Sequence, residues 1–152
     1  MTLSLGNKHK YSYYDQNTVT NLKRITADRA KDEKKETYTT VYLSKVSFID
    51  KGKEAFVSFL NDTPSIIKVC FFNDKRAAAA ELLEALFKDS LHITNIELYD
   101  VCLLYSQLVP VFSALTLNKT VRAFSLVRAS LSPKSSTALA TALRGNKWLR
   151  SL

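Results

Sequence analysis

The chain has 152 residues, the length of one domain, and its 46% hydrophobic and 24% charged content is that of a chain that folds in water. No uninterrupted apolar run approaches the roughly 20 residues of a membrane-spanning helix, and Met1-Thr2-Leu3-Ser4-Leu5 lacks the charged-then-apolar order of a secretory signal. A membrane-spanning helix is therefore not expected, and an intracellular setting is, cytoplasmic by default or organellar. The formal charge of +8 is divided as +3 over residues 1–37, 0 over 38–90 and +5 over 91–152, so the last third is the basic end.

Residues 1–37 are polar and charge-rich. Leu3 and Leu5, a Gly6-Asn7 turn, and Tyr11, Tyr13 and Tyr14 predict a hairpin. Val19, Leu22 and Ile25 recur every three residues and predict a helix from about Asn17 to Ala30. The mixed run Lys31-Asp32-Glu33-Lys34-Lys35-Glu36 then reads as a helix end or an exposed linker. The segment is expected to be an N-terminal cap, with a flexible basic tail as the alternative.

From residue 38 to 152 the chain repeats itself. Val41, Val69, Ile96, Phe124 and Leu152 fall about 28 residues apart, within the range of repeat architectures. Three residues before each stand Tyr38, Ile66, Ile93, Val121 and Leu149; two after stand Leu43, Phe71, Leu98 and Leu126. Earlier columns hold Phe56, Leu83, Val111 and Leu139; Phe59, Leu86, Ala114 and Ala142; and Leu60, Phe87, Leu115 and Leu143. A spacing of two puts side chains on one face of a strand, whereas spacings of three and four make one face of a helix. Each unit is therefore strand, loop, helix, return.

The predicted strands are Thr40 to Leu43, Ile67 to Phe71, Asn95 to Leu98 and Arg122 to Val127. The predicted helices run from Lys51 to Leu60, Arg76 to Phe87, Leu104 to Thr116, and Pro133 to Arg144. Asp74 suits the opening of the second helix. Pro110 is expected to bend the third or delay its regular part, and Gly145 to stop the fourth. Trp148, Leu149 and Leu152 begin a fifth strand, whose open apolar end calls for a covering partner or further repeats. The fold class is α/β, a repeat array over 38–152 with short parallel strands on one side and helices on the other.

Motifs for chemistry are missing. There is no GxSxG, no HExxH and no glycine-rich phosphate loop, and the chain has only 3 glycines to build one. Glu97 and Asp100 alone are a weak acid-base signal. Cys70 and Cys102 lack CxxC spacing and read as free thiols; His9 and His92 are isolated. Neither an enzyme nor a bound metal or cofactor is expected.

The unit resembles the ribonuclease-inhibitor type of leucine-rich repeat. Asn118-Lys119-Thr120-Val121-Arg122-Ala123-Phe124-Ser125-Leu126-Val127, and Ala138-Leu139-Ala140-Thr141-Ala142-Leu143-Arg144-Gly145-Asn146-Lys147-Trp148-Leu149-Arg150-Ser151-Leu152, closely resemble the repeats of tropomodulin and leiomodin. The resemblance implies a curved solenoid with strands on its concave face, and a non-enzymatic module that binds actin. Asp74, Val101 and Ala129 stand where many such repeats carry Asn or Cys after the strand.

In such an array the alternate strand positions face the groove. Tyr42, Lys68, Phe72, Tyr99, Arg122, Arg128 and Arg150 are the expected partner-binding residues, because aromatics and arginines anchor protein interfaces. The alternative for Phe72 and Tyr99 is packing into a neighbouring strand or the N-terminal segment. The expected partner is a protein, actin among the candidates. A scaffold role in a ribonucleoprotein or organellar complex, with the basic C-terminal surface meeting RNA or acidic protein, stays open beside it.

Overall fold

Strand and helix alternate along the computed structural model, which describes residues 2–5, 9–11, 39–44, 46 and 51–152. The strands are β1 (Thr2–Leu5), β2 (His9–Tyr11), β3 (Thr40–Ser44), β4 (Lys68–Phe72), β5 (Asn95–Tyr99) and β6 (Ala123–Val127). The helices are α1 (Gly52–Asn61), α2 (Ala77–Asp89), α3 (Tyr105–Leu117) and α4 (Pro133–Gly145). The sheet order is β2-β1-β3-β4-β5-β6. β3 to β6 are parallel, and a helix follows each of them, giving an α/β repeat fold. The Gly6-Asn7 turn, Tyr13 and Tyr14, the expected helix near 17–30, the charge run at 31–36 and Tyr38 lie outside the described residues.

The register follows the apolar columns. Val41 pairs with Val69, Val69 with Ile96 and Ile96 with Phe124. The row Leu43, Phe71, Leu98, Leu126 pairs in the same way. Ala123 adds one parallel bridge to Ser151, where the fifth strand was expected. β1 pairs antiparallel with both β2 and β3, so the β3 edge of the parallel sheet is occupied.

The core is a single layer between one sheet face and the four helices. Phe56, Phe59, Phe71 and Phe124 are among its largest fully buried side chains. Phe87 meets Phe124 edge-on at 5.5 Å between ring centroids. Truncating such a phenylalanine costs about 3–5 kcal/mol, so these rings carry much of the stability of so thin a core.

Buried polar groups close the turns between helix and strand. Six residues before the strand anchors stand Thr63, Ser90, Asn118 and Asn146, all buried. Asn118 donates through Nδ2 to the Phe87 carbonyl at 2.7 Å, and its Oδ1 accepts the amides of Thr120 and Val121 at 3.1 and 2.8 Å. Asn146 likewise donates to the carbonyls of Leu115 and Asn118 and accepts the amides of Trp148 and Leu149. Backbone groups that leave the helix ladder are thereby satisfied without water.

Three sequence expectations change in detail. Asp74 is 1% exposed and does not cap α2, whose N-cap is Arg76. Its carboxylate instead accepts the amide of Val46 and, at 3.0 Å, that of Arg76, while its carbonyl accepts the Cys102 amide at 3.1 Å. One residue thus ties three successive turns. Pro110 does not delay α3, which runs from Tyr105 past it to Leu117; the Gln107 side chain accepts the Leu104 amide at 2.7 Å and steadies the first turn instead. Gly145 is the last helical residue rather than a stop beyond the helix, and a Cβ there would lie 2.7 Å from Thr116 Cγ2. Its role is to let α4 approach α3.

Candidate functional site

Side chains of a strand point alternately to its two faces, so the residues between the apolar anchors lie on the sheet face opposite the helices. Across β3 to β6 they form three rows: Thr40, Lys68, Asn95, Ala123; then Tyr42, Cys70, Glu97, Ser125; then Phe72, Tyr99, Val127. No described helix packs on this face. The Phe72 and Tyr99 rings stack at 4.8 Å with planes 4° apart, and Tyr42 leans on Phe72 at 6.0 Å. Phe72 and Tyr99 therefore touch across neighbouring strands and are both half-buried on the open face. The rings brace one another on the open face, an arrangement worth about 0.5–1.5 kcal/mol per aromatic pair.

Glu97 organises the polar part. Lys68 Nζ meets Glu97 Oε1 at 2.7 Å, and the Tyr99 hydroxyl and the Cys70 thiol donate to Oε2 at 2.9 and 3.5 Å. Partial burial pushes the Glu97 carboxyl up, but the bonds from Lys68, Tyr99 and Cys70 outweigh it and hold the group below the usual carboxylate range. The same bond to Glu97 raises the ammonium of Lys68. Hydrogen bonding to Glu97 also raises the Tyr99 phenol. Burial, reinforced by the Glu97 charge, pushes the Cys70 thiol up to about 12. Such a thiol stays protonated at neutral pH and is a poor nucleophile. Cys70 is a free, buried thiol.

The two edges of the strands carry the arginines. At the C-terminal edge Asn73, Asp100 and Arg128 adopt left-handed φ values of 46°, 52° and 52°. Asn and Asp tolerate that region, whereas Arg128 bears a strain of about 1–2 kcal/mol. Arg128 forms a two-pronged pair with Asp100, Nε to Oδ1 at 2.6 Å and Nη2 to Oδ2 at 2.7 Å. That pair lowers the Asp100 carboxyl and raises the Arg128 guanidinium. At the N-terminal edge Arg122 lies 5.3 Å from the Trp148 ring centroid and donates to the Lys119 carbonyl at 2.7 Å, and Arg150 is exposed on the next rung.

The seven residues singled out from sequence thus fall into three places. Tyr42, Lys68, Phe72 and Tyr99 share the open face; Arg128 stands at one edge; Arg122 and Arg150 stand at the other. Sequence reasoning missed Glu97 as the hub, Asp100 as the partner of Arg128, and Trp148 beneath Arg122. The Asp100–Arg128 pair was legible in the column alignment, since both residues follow their strand anchor by four. Among the described residues no three His, Cys, Asp or Glu side chains come together as metal ligands would, and no helix is long and apolar enough to cross a membrane.

No protein-family model matches the chain, nor does any curated protein. Solved structures do. The tropomodulin C-terminal domain of Caenorhabditis elegans superposes with a TM-score of 0.55 at 16% identity, over 90% of this chain and 80% of that one. A chain from the Chaetomium Mex67:Mtr2 subunits superposes with a TM-score of 0.51 at 13% identity, over 86% and 88%. The likeness is one of fold.

Proposed function

We propose that this chain is a non-enzymatic protein-interaction module, an intracellular leucine-rich-repeat solenoid of the ribonuclease-inhibitor type whose concave sheet face captures a protein partner. The observation that carries the reading is the row of Tyr42, Phe72 and Tyr99 on a sheet face that no described helix covers. Rings already braced against one another lose little rotamer freedom when a partner lands on them, which favours binding. Lys68, Cys70, Glu97 and Tyr99 satisfy one another on the face, and its thiol is held protonated, which suits recognition better than catalysis. The steady strand offset of 27 or 28 residues in the paired registers supports the solenoid.

The fold likeness to the tropomodulin domain makes actin the first partner to try. The alternative is a scaffold subunit of a larger assembly, favoured by the basic charge of residues 91–152. The test is capture from native extract, with and without nuclease, alongside co-pelleting with purified filamentous actin, each with wild type, Phe72→Lys and Tyr99→Lys. Partner capture is expected to survive nuclease and to fail in both variants, with melting temperatures changed by a few degrees at most. Capture indifferent to both substitutions would sink the proposal. Nuclease-sensitive capture would move the function to the assembly reading.

A further inference from the structure

Two loops at the N-terminal edge of the sheet are copies of each other: Asn118-Lys119-Thr120-Val121-Arg122 and Asn146-Lys147-Trp148-Leu149-Arg150. Each is held by its buried asparagine, whose Oδ1 accepts the amides two and three residues on. The Arg122 carbonyl accepts the amides of Arg150 and Ser151 at 2.7 and 3.1 Å, so the two arginines occupy adjacent rungs. Rungs of a sheet are about 4.8 Å apart, and Lys119 and Lys147 repeat the step. Four cationic residues are therefore carried by two adjacent copies of one loop, whose backbone is held by hydrogen bonds.

No carboxylate of the last third answers them. Its acids are Glu97 and Asp100; Glu97 is paired with Lys68 and Asp100 with Arg128. Like charges held this close repel one another, and an arriving anion relieves the repulsion. Arg122 is already positioned, its guanidinium against the Trp148 ring and the Lys119 carbonyl. Trp148 is 43% exposed and adds an apolar contact beside the charges.

We propose that this edge is a second docking surface, separate from the open sheet face, and that it takes an acidic polypeptide segment carrying several carboxylates and an apolar side chain for Trp148. Charge complementarity selects the anion. A polypeptide is favoured over a nucleic acid because base stacking needs free ring faces. Arg122 lies over a face of Trp148, and the open-face rings stack on each other.

The chain has one tryptophan, so its fluorescence reports on this edge directly. The whole chain would be titrated with a 14-residue peptide of Glu and Leu, the same peptide with Gln for Glu, and a 14-nucleotide oligouridylate. Labelled-ligand anisotropy gives a second readout. The acidic peptide is expected to bind saturably and at least tenfold more tightly than the Gln peptide. Arg150→Gln, whose side chain is exposed, is expected to weaken it about fivefold, and Arg122→Gln with Arg150→Gln to abolish it. Lys134→Gln, at the start of α4, is expected to leave it unchanged. Equal binding of Glu and Gln peptides, equal weakening by Lys134→Gln, or tighter arginine-dependent binding of the oligouridylate would each overturn the proposal.

Discussion

The two halves of the repeat array close the same turn with different chemistry. In the C-terminal half the residue six before the strand anchor is Asn118 or Asn146, and its amide reaches back to a carbonyl of the preceding turn, 28 or 31 residues away. In the N-terminal half the same place is held by Thr63 and Ser90. Thr63 donates to Phe59 four residues earlier, and Ser90 accepts the Ile93 amide three residues on. A hydroxyl closes its own loop; an amide closes its loop and also staples it to its neighbour. The N-terminal half recovers a staple with half-buried Asn61, which donates to the Asp89 carbonyl and accepts the Leu91 amide in solvent-exposed bonds, both at 2.9 Å. Water competes for those bonds, so they are worth less than the buried ones.

The widest gap between the halves should appear when the staple is removed. Asn118→Ala leaves the Phe87 carbonyl and the Thr120 and Val121 amides without side-chain partners. Orphaned backbone groups cost about 1–3 kcal/mol each, relieved in part by water, so a loss of about 2–4 kcal/mol is expected. In a chain of this size that lowers the melting temperature by about 5–15 °C. Ser90→Ala removes one bond of 3.2 Å and should cost about 1 kcal/mol. Equal losses in paired thermal melts would show that the asparagine staples add nothing.

The contrast also explains what could be read from sequence. The apolar columns fixed strand register and helix placement to within a residue or two, because a buried sheet face and a helix stripe each impose a period. The specific family resemblance covered the stretch with Asn118 and Asn146, where side-chain amides do the stapling. It faded over Thr63 and Ser90, where the backbone path is kept by residues of another type. The open face was legible as a list of positions but not as a network. That Glu97 gathers Lys68, Cys70 and Tyr99 depends on rotamers across two adjacent strands, which periodicity does not carry. Asp74 was misread for a related reason. Its position suits a helix cap, and only the fold brings the Val46 amide to its carboxylate.

Gly145 sharpens the comparison from the helix side. An alanine normally stabilises a helix by about 1 kcal/mol over glycine. Here its Cβ would press on Thr116 Cγ2, and Thr116 is held in place by its hydroxyl bond to the Phe112 carbonyl at 2.9 Å. Overpacking of this kind costs about 1–3 kcal/mol, so Gly145→Ala should lose about 1 kcal/mol in denaturant melts. Adding Thr116→Ser, which removes the methyl, should restore wild-type stability or better. A Gly145→Ala protein more stable than wild type would mean that α3 and α4 pack less closely than the structure places them.

The smallest effect belongs to the open face, where pH separates charge from packing. Glu97→Gln keeps the shape of the side chain but removes the ion pair with Lys68, which is partly exposed and worth about 0.5–1 kcal/mol at neutral pH. The folded carboxyl is held below its ordinary 4.5, so the unfolded chain takes up the proton first as pH falls. The stabilisation is therefore complete above pH 4.5 and drains away as pH drops through the lower, folded value. Wild type and Glu97→Gln should melt apart by a few degrees at pH 7 and draw closer as pH is lowered well below 4.5, for instance to pH 3. Melting curves that stay equally far apart at both values would show that Glu97 acts through packing and neutral hydrogen bonds. The open face would then owe its rigidity to those contacts and to the Tyr42, Phe72 and Tyr99 rings rather than to charge.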